Sequence, residues 1–138
     1  MAQRTDRPHQ AYVDTSAFIA FLDRSDSHHS LFRRLFSETP RLVTSALVIA
    51  EGHGWFLRRY DQRRAMQFLS FIEELTPLVI RPFNGEALKG ASQFVRKFGD
   101  PRLTLADAHG LMIMREERIP LCWSCDRHLG LTGVKLVI

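Results

Sequence analysis

The sequence is poor in cysteine and has no long apolar run. Only two of its 138 residues are cysteines, so a disulfide framework is excluded. No stretch approaches the roughly 18 consecutive apolar residues that a membrane-spanning helix needs. Residues 1–10 are polar and lack the apolar core of a signal peptide. We therefore expect a cytoplasmic protein with no membrane partner.

The two cysteines, Cys122 and Cys125, have the spacing of a zinc or redox motif. A zinc site needs a second pair of ligands, and the chain has no further cysteine to supply it. Residues three apart in a strand face opposite sides of the sheet, and the redox motif usually opens a helix. We therefore expect two small buried residues without cysteine chemistry.

The composition indicates one globular domain with a basic surface. Hydrophobic residues make up 45% of the chain and charged residues 25%, which are ordinary globular values. There are 19 Lys and Arg against 15 Asp and Glu, a net charge of +4, and 16 of the 19 cations are arginines. The planar guanidinium suits phosphate, which favours a polyanionic partner. A solvated arginine-rich face is the alternative explanation.

Short apolar runs alternate with helical periodicity along the chain. The pattern predicts strands at 11–13, 41–43, 78–80, 121–124 and 134–138. It predicts helices at 15–22, 25–38, 62–75, 85–98 and 104–117, with a further helix capped by Thr44 or Ser45 that runs towards Arg59. This alternation indicates an α/β fold, a short-stranded and mainly parallel sheet with helices on both faces. We expect a polar N-terminal segment over 1–10 and a single domain over 11–138.

Two aspartates directly follow predicted strands. Asp14 comes after the first strand and Asp126 comes after the strand at 121–124. Ligands of parallel sheets bind outside the carboxyl ends of the strands, so both side chains are predicted to face that crevice. Each aspartate could instead simply cap the helix that follows it, which is a common role for Asp.

Two further carboxylates lie within predicted helices. Glu51 has apolar neighbours at helical spacing, Leu47 and Trp55 among them, so we expect it on an apolar helix face. A lone carboxylate there costs several kcal/mol unless it is paired or hydrogen-bonded. Asp107 has a similar apolar setting, although Thr104-x-x-Asp107 also fits a capping box.

Several carboxylates in one crevice repel one another and need a cation. Ligands that are all oxygen suit a hard ion, either Mg²⁺ or Mn²⁺. Such an ion supports hydrolysis of a phosphodiester. Without the four carboxylates the rest of the chain carries +8, from 19 cations and 11 acids. An acidic centre in a basic surface is the pattern expected of a metal-dependent nuclease.

Four segments in order resemble the PIN-domain family. They are YVDTSA at 12–17, LVIAE at 47–51, DPRLTLADA at 100–108 and SCDRHL at 124–129, and together they span nearly the whole chain. The resemblance implies a metal-dependent ribonuclease in which Asp14, Asp107 and Asp126 bind Mg²⁺ or Mn²⁺ and Glu51 is a further ligand or a base. Leu129 departs from the family, where a Phe is expected.

The resemblance also implies supporting residues. The expected additional or orienting groups are Asp100, Ser124, Ser16 and Thr15. Arg102 and Arg127, beside the acidic positions, are the expected contacts to RNA or to the acidic cluster without metal.

His128 is expected to be a solvated turn residue. His53 and His109 are not expected to ligate with the carboxylates two residues before them, because positions i and i+2 of a helix do not share a face.

Small size without accessory domains is similar to the VapC-like toxins of type II toxin–antitoxin systems. This resemblance implies an RNA substrate, a cognate antitoxin and a homodimer. An antitoxin is expected across the early helices, whose aromatic side chains exceed what the core needs. Most of these rings are still expected in the core, with about a third exposed enough to meet a partner. Those side chains are Phe18, Phe21, Phe32, Phe36, Trp55 and Phe56.

Three other functions stay open on the sequence. The chain could be a PIN nuclease of RNA processing with no antitoxin, or a PIN scaffold that binds RNA without cutting it. A different class is a receiver-like module in which Asp14 accepts a phosphoryl group. That module needs a lysine near the last strands, where only Lys135 is present, and it leaves Glu51 unexplained.

Overall fold

The chain folds around one five-stranded sheet. A computed structural model of the protein describes residues 10–38 and 40–137. The strands are β1 (Gln10–Val13), β2 (Arg41–Ser45), β3 (Leu78–Arg81), β4 (Leu121–Trp123) and β5 (Lys135–Leu136). The helices are α1 (Thr15–Leu22), α2 (His29–Phe36), α3 (Ala46–Arg59), α4 (Gln62–Glu74), α5 (Gly85–Phe98) and α6 (Leu105–Glu117), with a short 3-10 helix at Arg127–Gly130. The strand order is β3-β2-β1-β4-β5 and every neighbouring pair is parallel, so the predicted α/β fold class is confirmed.

The direction of travel across the sheet reverses between β1 and β4. From β1 the chain moves outwards through β2 to β3, and it then returns to β4 and continues to β5 on the other side. Right-handed crossovers therefore place α1 to α4 on one face and α5 and α6 on the other. Trp123 packs edge-on against Phe36 of α2 at 5.0 Å, whereas Tyr12 lies against Gly110 of α6. The crevice beyond β1 and β4 is the place where such a sheet binds its ligand.

The aromatic residues of the early helices divide between core and partial exposure. Phe18, Phe32 and Phe56 are fully buried. Phe21, Phe36 and Trp55 are half-buried and pack against the same core. All six rings therefore contribute to the core, and only the three half-buried ones also reach the surface.

The helix predicted at 25–38 is wrong at its start, since α2 begins only at His29. Asp23 Oδ1 accepts hydrogen bonds from the Ser25 N–H at 3.1 Å and from its hydroxyl at 2.7 Å. Asp26 Oδ1 accepts one from the His28 N–H at 2.8 Å. These local bonds satisfy the backbone in a turn, which is how short polar side chains compete with helix.

Three smaller boundaries also differ. β4 ends at Trp123 instead of 124, because Ser124 turns into the crevice. β5 covers only two residues of the predicted 134–138, and Ile138 lies outside the described residues. Residues 1–9 of the predicted polar segment also lie outside them, while Gln10 belongs to β1. In the part of the chain that the structure describes, no helix has the length and apolarity of a membrane span.

Gly110→Ala is expected to destabilise the protein although it lies within α6. Alanine in a helix normally gains about 1 kcal/mol over glycine. At Gly110 the new Cβ would lie 2.8–2.9 Å from the Tyr12 ring and hydroxyl, and Tyr12 is fully buried and unable to move aside. Overpacking costs about 1–3 kcal/mol, so we expect a net loss of about 1 kcal/mol in urea unfolding.

Gly54→Ala in α3 is the matched control. There the new Cβ would meet only the flexible end of Arg58, which can move. We expect this variant to gain about 0.5–1 kcal/mol. A gain of the same size in both variants would contradict the packing of Tyr12 beneath α6.

Candidate active site

Asp14 lies at the point where the direction of the chain reverses, directly after β1. Its backbone N–H donates to the carbonyl of Trp123 at 3.0 Å, which continues the pairing of β1 with β4. Its side chain caps α1 by accepting a hydrogen bond from the Ser16 N–H at 3.4 Å. The residue is buried, at 5% exposure. Capping and a position in the crevice are thus combined in one residue.

Two serine hydroxyls hold the Asp14 carboxylate. Ser16 and Ser124 each donate to Asp14 Oδ2 at 2.9 Å. Each serine oxygen in turn accepts a backbone N–H from the loop after β4, Ser16 from Cys125 at 2.9 Å and Ser124 from Asp126 at 2.8 Å. A hydroxyl has one proton to donate, so these N–H groups leave both protons for Asp14. The pair therefore joins the start of α1 to the loop after β4.

Asp107 reaches the same crevice from α6 and is buried at 6% exposure. It completes the predicted capping box: the Thr104 N–H donates to Asp107 Oδ2 at 3.2 Å, and the Asp107 N–H donates to Thr104 Oγ1 at 3.1 Å. The box fixes the carboxylate at the N-terminus of α6, where the helix dipole favours negative charge.

Glu51 does not lie on a buried helix face, so that expectation is wrong. Its side chain is exposed, and the buried stripe of α3 is Val48, Gly52 and Phe56. Thr15 Oγ1 donates to Glu51 Oε1 at 2.5 Å, which ties the glutamate to the start of α1. Glu51 therefore stands at the accessible rim of the crevice.

His128 connects two acidic residues, which corrects the expectation of a solvated turn residue. His128 Nδ1 lies 2.6 Å from Asp126 Oδ1, and its Nε2 lies 3.1 Å from Asp100 Oδ2. The His128 N–H also donates to Asp126 Oδ1 at 2.9 Å, which caps the 3-10 helix. The side chain is 18% exposed. The bond to Asp126 raises the pKa of His128, and the charges of both aspartates add to this effect.

The buried carboxylates act on each other electrostatically. Burial, and after it the charge of Asp107, raise the pKa of Asp14 to about 6 even though the bonds from Ser124 and Ser16 act to lower it. Burial also raises the pKa of Asp107, opposed by its bonds to Thr104 and reinforced by the charges of Asp126 and Glu51. The structure thus brings the four predicted acids into one field.

The donor chemistry of this cluster fits a hard divalent cation. In residues 10–38 and 40–137, no Lys or Arg forms an ion pair with Asp14, Glu51, Asp107 or Asp126. Of these four, Asp14 and Asp107 are buried without a cationic partner in that range, which favours a bound cation, and oxygen donors suit Mg²⁺ or Mn²⁺. Over the same residues, no three His, Cys, Asp or Glu side chains are already gathered around one point. The residue types fit the ion, and ligation requires side chains to turn from their present hydrogen bonds.

The remaining predicted residues border the crevice. Arg102 is 79% exposed, with Nε 3.8 Å from Asp100 Oδ1, and Arg127 is exposed beside Asp126.

Cys122 is buried and Cys125 half-buried, and burial raises the pKa of both thiols.

His109, within α6, is buried, and its Nδ1 lies 2.6 Å from Ser45 Oγ. Burial lowers the pKa of this histidine. Its ring packs edge-on against Phe83 at 5.0 Å. His109 therefore belongs to the packing between α6 and the start of α3.

The family model of the PIN domain matches residues 11–134 of the chain. The chain therefore belongs to the PIN-domain family, which excludes the receiver-like alternative at the level of family. No curated protein sequence matches it.

Several solved structures share this fold at low sequence identity. VapC20 of Mycobacterium tuberculosis, described as a toxin that cleaves the sarcin–ricin loop, is 22% identical with a TM-score of 0.81, over 90% of this chain and 95% of that one. VapBC2 of Rickettsia felis, bound to a promoter DNA fragment, is 11% identical with a TM-score of 0.62, over 92% and 96%. FitAcB of Neisseria gonorrhoeae is 14% identical with a TM-score of 0.62, over 91% and 95%. At these identities the likeness shows a common fold.

Asp14→Asn is expected to stabilise the metal-free protein at pH values above 6. The pKa of Asp14 is about 6 in the folded protein against an ordinary value of 3.8, so its ionised form opposes folding. This destabilising effect of the ionised carboxylate disappears as the pH falls through 6 towards 3.8. A shift of this size corresponds to about 3 kcal/mol, and the asparagine keeps an acceptor for the two serines.

Urea unfolding in EDTA between pH 5 and pH 8 measures this effect. The control is Asp61→Asn at the exposed cap of α4, because asparagine caps equally well. It should change the free energy of unfolding by less than about 0.5 kcal/mol. If Asp14→Asn raised the free energy of unfolding equally at pH 5 and at pH 8, the charge of Asp14 would not be what destabilises the fold.

Proposed function

We propose that this chain is a Mg²⁺- or Mn²⁺-dependent endoribonuclease that acts as a VapC-like toxin neutralised by an antitoxin. The observation that carries the proposal is the group of four carboxylates at the reversal point, Asp14, Glu51, Asp107 and Asp126. No Lys or Arg in the described residues forms an ion pair with any of them. Membership of the PIN-domain family, whose members are nucleases in general, supports the same function.

Asp14, Asp107 and Asp126 are the residues that would hold the ion, with Glu51 as a further ligand or as the base. A divalent ion bound there would lower the pKa of a bound water molecule and would neutralise the charge that develops on a phosphate. Ser16 and Ser124 orient Asp14, since their bonds fix Oδ2.

Glu51 is the carboxylate suited to accept a proton from the attacking water. It is exposed to solvent, and Thr15 occupies only its Oε1 atom, which leaves Oε2 for the water proton. His128 holds Asp126 and Asp100 at the opposite side of the crevice. Arg102 and Arg127 project into solvent beside these acids, where they would bind RNA phosphates.

The proposed partners are an RNA, an antitoxin and a second copy of the chain, in the cytoplasm. Support for an antitoxin comes from the similar folds, which include VapBC2 and a toxin–antitoxin complex from Klebsiella pneumoniae. Half-buried rings of the early helices, Phe21 and Phe36, offer an apolar surface to such a partner. The TM-score of 0.81 to VapC20 makes the sarcin–ricin loop of ribosomal RNA the first RNA to test.

The test is cleavage of end-labelled RNA by purified, partner-free protein. Total RNA and a sarcin–ricin-loop oligoribonucleotide are each incubated with Mg²⁺, Mn²⁺ or EDTA. We expect cleavage only with metal, and Asp14→Asn should lower its rate by more than the roughly 10- to 100-fold typical of a residue that only supports a ligand. Asp61→Asn should cleave as the wild type does. Absence of cleavage by folded, metal-loaded wild type, or equal cleavage by Asp14→Asn, would overturn the proposal.

Binding of the ion is also measurable without catalysis. Mn²⁺ at a hundred times its Kd should stabilise the wild type by about 2.7 kcal/mol, because it binds only the folded state. Thermal unfolding should show this increase in the wild type and in Asp61→Asn. If Asp14→Asn were stabilised to the same extent, Asp14 would not be a ligand.

A further inference from the structure

A second depression lies between the C-terminal ends of α5 and α6 and the segment 131–134. We call it the basic groove. Its rim carries Lys97, Arg115 and Arg118, and all three side chains are exposed. Apolar residues also line it, Phe98 and Leu131 among them, and we call these apolar residues its floor. Pro120, which precedes β4, lies at its edge, so the groove is at the opposite end of β4 from Ser124 and Asp126.

The three cations of the basic groove have no acidic partner in the described part of the chain. No acidic residue lines the groove, and none of the three cations forms an ion pair there. Arg81 shows the contrast, because its guanidinium binds Glu117 through two hydrogen bonds of 2.7 and 2.8 Å. The positive charge of the groove is therefore available to a ligand.

Helix dipoles alone do not explain this arrangement. Lys97 and Arg115 lie in the last turns of α5 and α6, where a cation is stabilised by about 0.3–1 kcal/mol. The dipole would act equally on cations that point away from each other. Here they surround one apolar floor, and Arg118 joins them from a left-handed backbone conformation with φ of 55°.

The chemistry of rim and floor fits single-stranded nucleic acid. Sequence-independent sites for single strands combine a positive groove along the backbone with aromatic surfaces on which bases stack. Phe98 is half-buried, and Lys97 Nζ lies 5.7 Å from the centre of its ring. Leu131 is 41% exposed and adds apolar surface beside it.

The basic groove and the depression of the candidate active site share one lining residue. Leu131 borders the groove and also borders the depression that contains Asp126, His128 and Arg102. From Pro120 to Ser124 the chain extends about 13 Å at strand rise, so one short RNA segment can reach both places. This proximity favours the substrate itself as the ligand of the groove.

We propose that the basic groove is a second RNA-binding site, which holds the phosphates of a single-stranded substrate segment through Lys97, Arg115 and Arg118. The proposal rests on the proposed function, because the ligand is the RNA that the acidic centre cuts. The groove adds affinity and contributes no group to the reaction.

The test compares two triple variants of equal charge. The groove variant is Lys97→Gln, Arg115→Gln, Arg118→Asn; asparagine is chosen at 118 because it tolerates the left-handed conformation. The control variant is Arg24→Gln, Arg33→Gln, Arg34→Gln, three exposed residues of the α1–α2 region. Arg33 and Arg34 lie in the last turn of α2, so the control also removes cations from a helix C-terminus.

Binding of a fluorescein-labelled 12-nucleotide oligouridylate in EDTA is measured by anisotropy between 50 and 200 mM salt. Each phosphate contact contributes about 0.7 to the slope of log Kd against log salt, so loss of three contacts should lower the slope by about 2. At the low-salt end this corresponds to a Kd on the order of tenfold higher or more, whereas the control variant should bind as the wild type does. Thermal unfolding checks that both variants are folded.

The outcomes separate this proposal from the function on which it rests. A loss of slope confined to the groove variant supports the second RNA site. If the wild type cleaves RNA but the groove and control variants bind equally, the groove is not an RNA site and the nuclease assignment stands. If the wild type neither binds nor cleaves RNA, both proposals are overturned. A groove variant that keeps RNA binding but loses an acidic protein partner would reassign the groove to that partner.

Discussion

The burial of the Asp14 carboxylate at the junction of β1 and β4 is the constraint on which the rest of the site depends. An ionised group in that position loses its water, and the Asp107 charge nearby increases the cost, so its pKa rises to about 6. The fold offsets only part of the cost through the two serine hydroxyls, and within residues 10–38 and 40–137 no arginine or lysine pairs with the carboxylate. The same bonds hold α1 and the loop after β4 together. The burial of Asp14 therefore determines both the geometry of the crevice and the free-energy cost of the negative charge in it.

Capping and a functional role are not alternatives in this fold. Asp14 and Asp126 cap the helices that follow them, and Asp107 accepts the backbone N–H of the cap residue of α6 within a capping box. In a parallel sheet the helices begin near the carboxyl ends of the strands, so caps of different helices meet in one crevice. Each cap also fixes the direction of one carboxylate oxygen. Local helix chemistry therefore brings together a group of acids that would otherwise repel one another.

How much of the site is predictable from sequence follows from the range of the interactions. Asp14 and Asp107 are predictable because a strand end and a capping box are local patterns. The exposure of Glu51 is not predictable in this way. Gly52 packs against Phe68, so the buried face of α3 is shifted by one residue from the apolar face that the local sequence predicts for Glu51. The link from His128 to Asp100 spans 28 positions along the chain, and no local pattern encodes it.

The positions of the cations show what limits stability here. An arginine paired with Asp14 would compensate the free-energy cost of burying its charge. The chain does form an arginine–carboxylate pair elsewhere, between Arg81 and Glu117. At the crevice, the arginines instead stand at the rim, and others gather around the basic groove. A paired arginine would occupy the oxygens that a metal ion needs and would remove positive charge from the surface that meets a polyanion. In the described part of the chain Asp14 and Asp107 have no cationic partner, which lowers the stability of the metal-free fold and by reciprocity raises the affinity of the folded state for a cation.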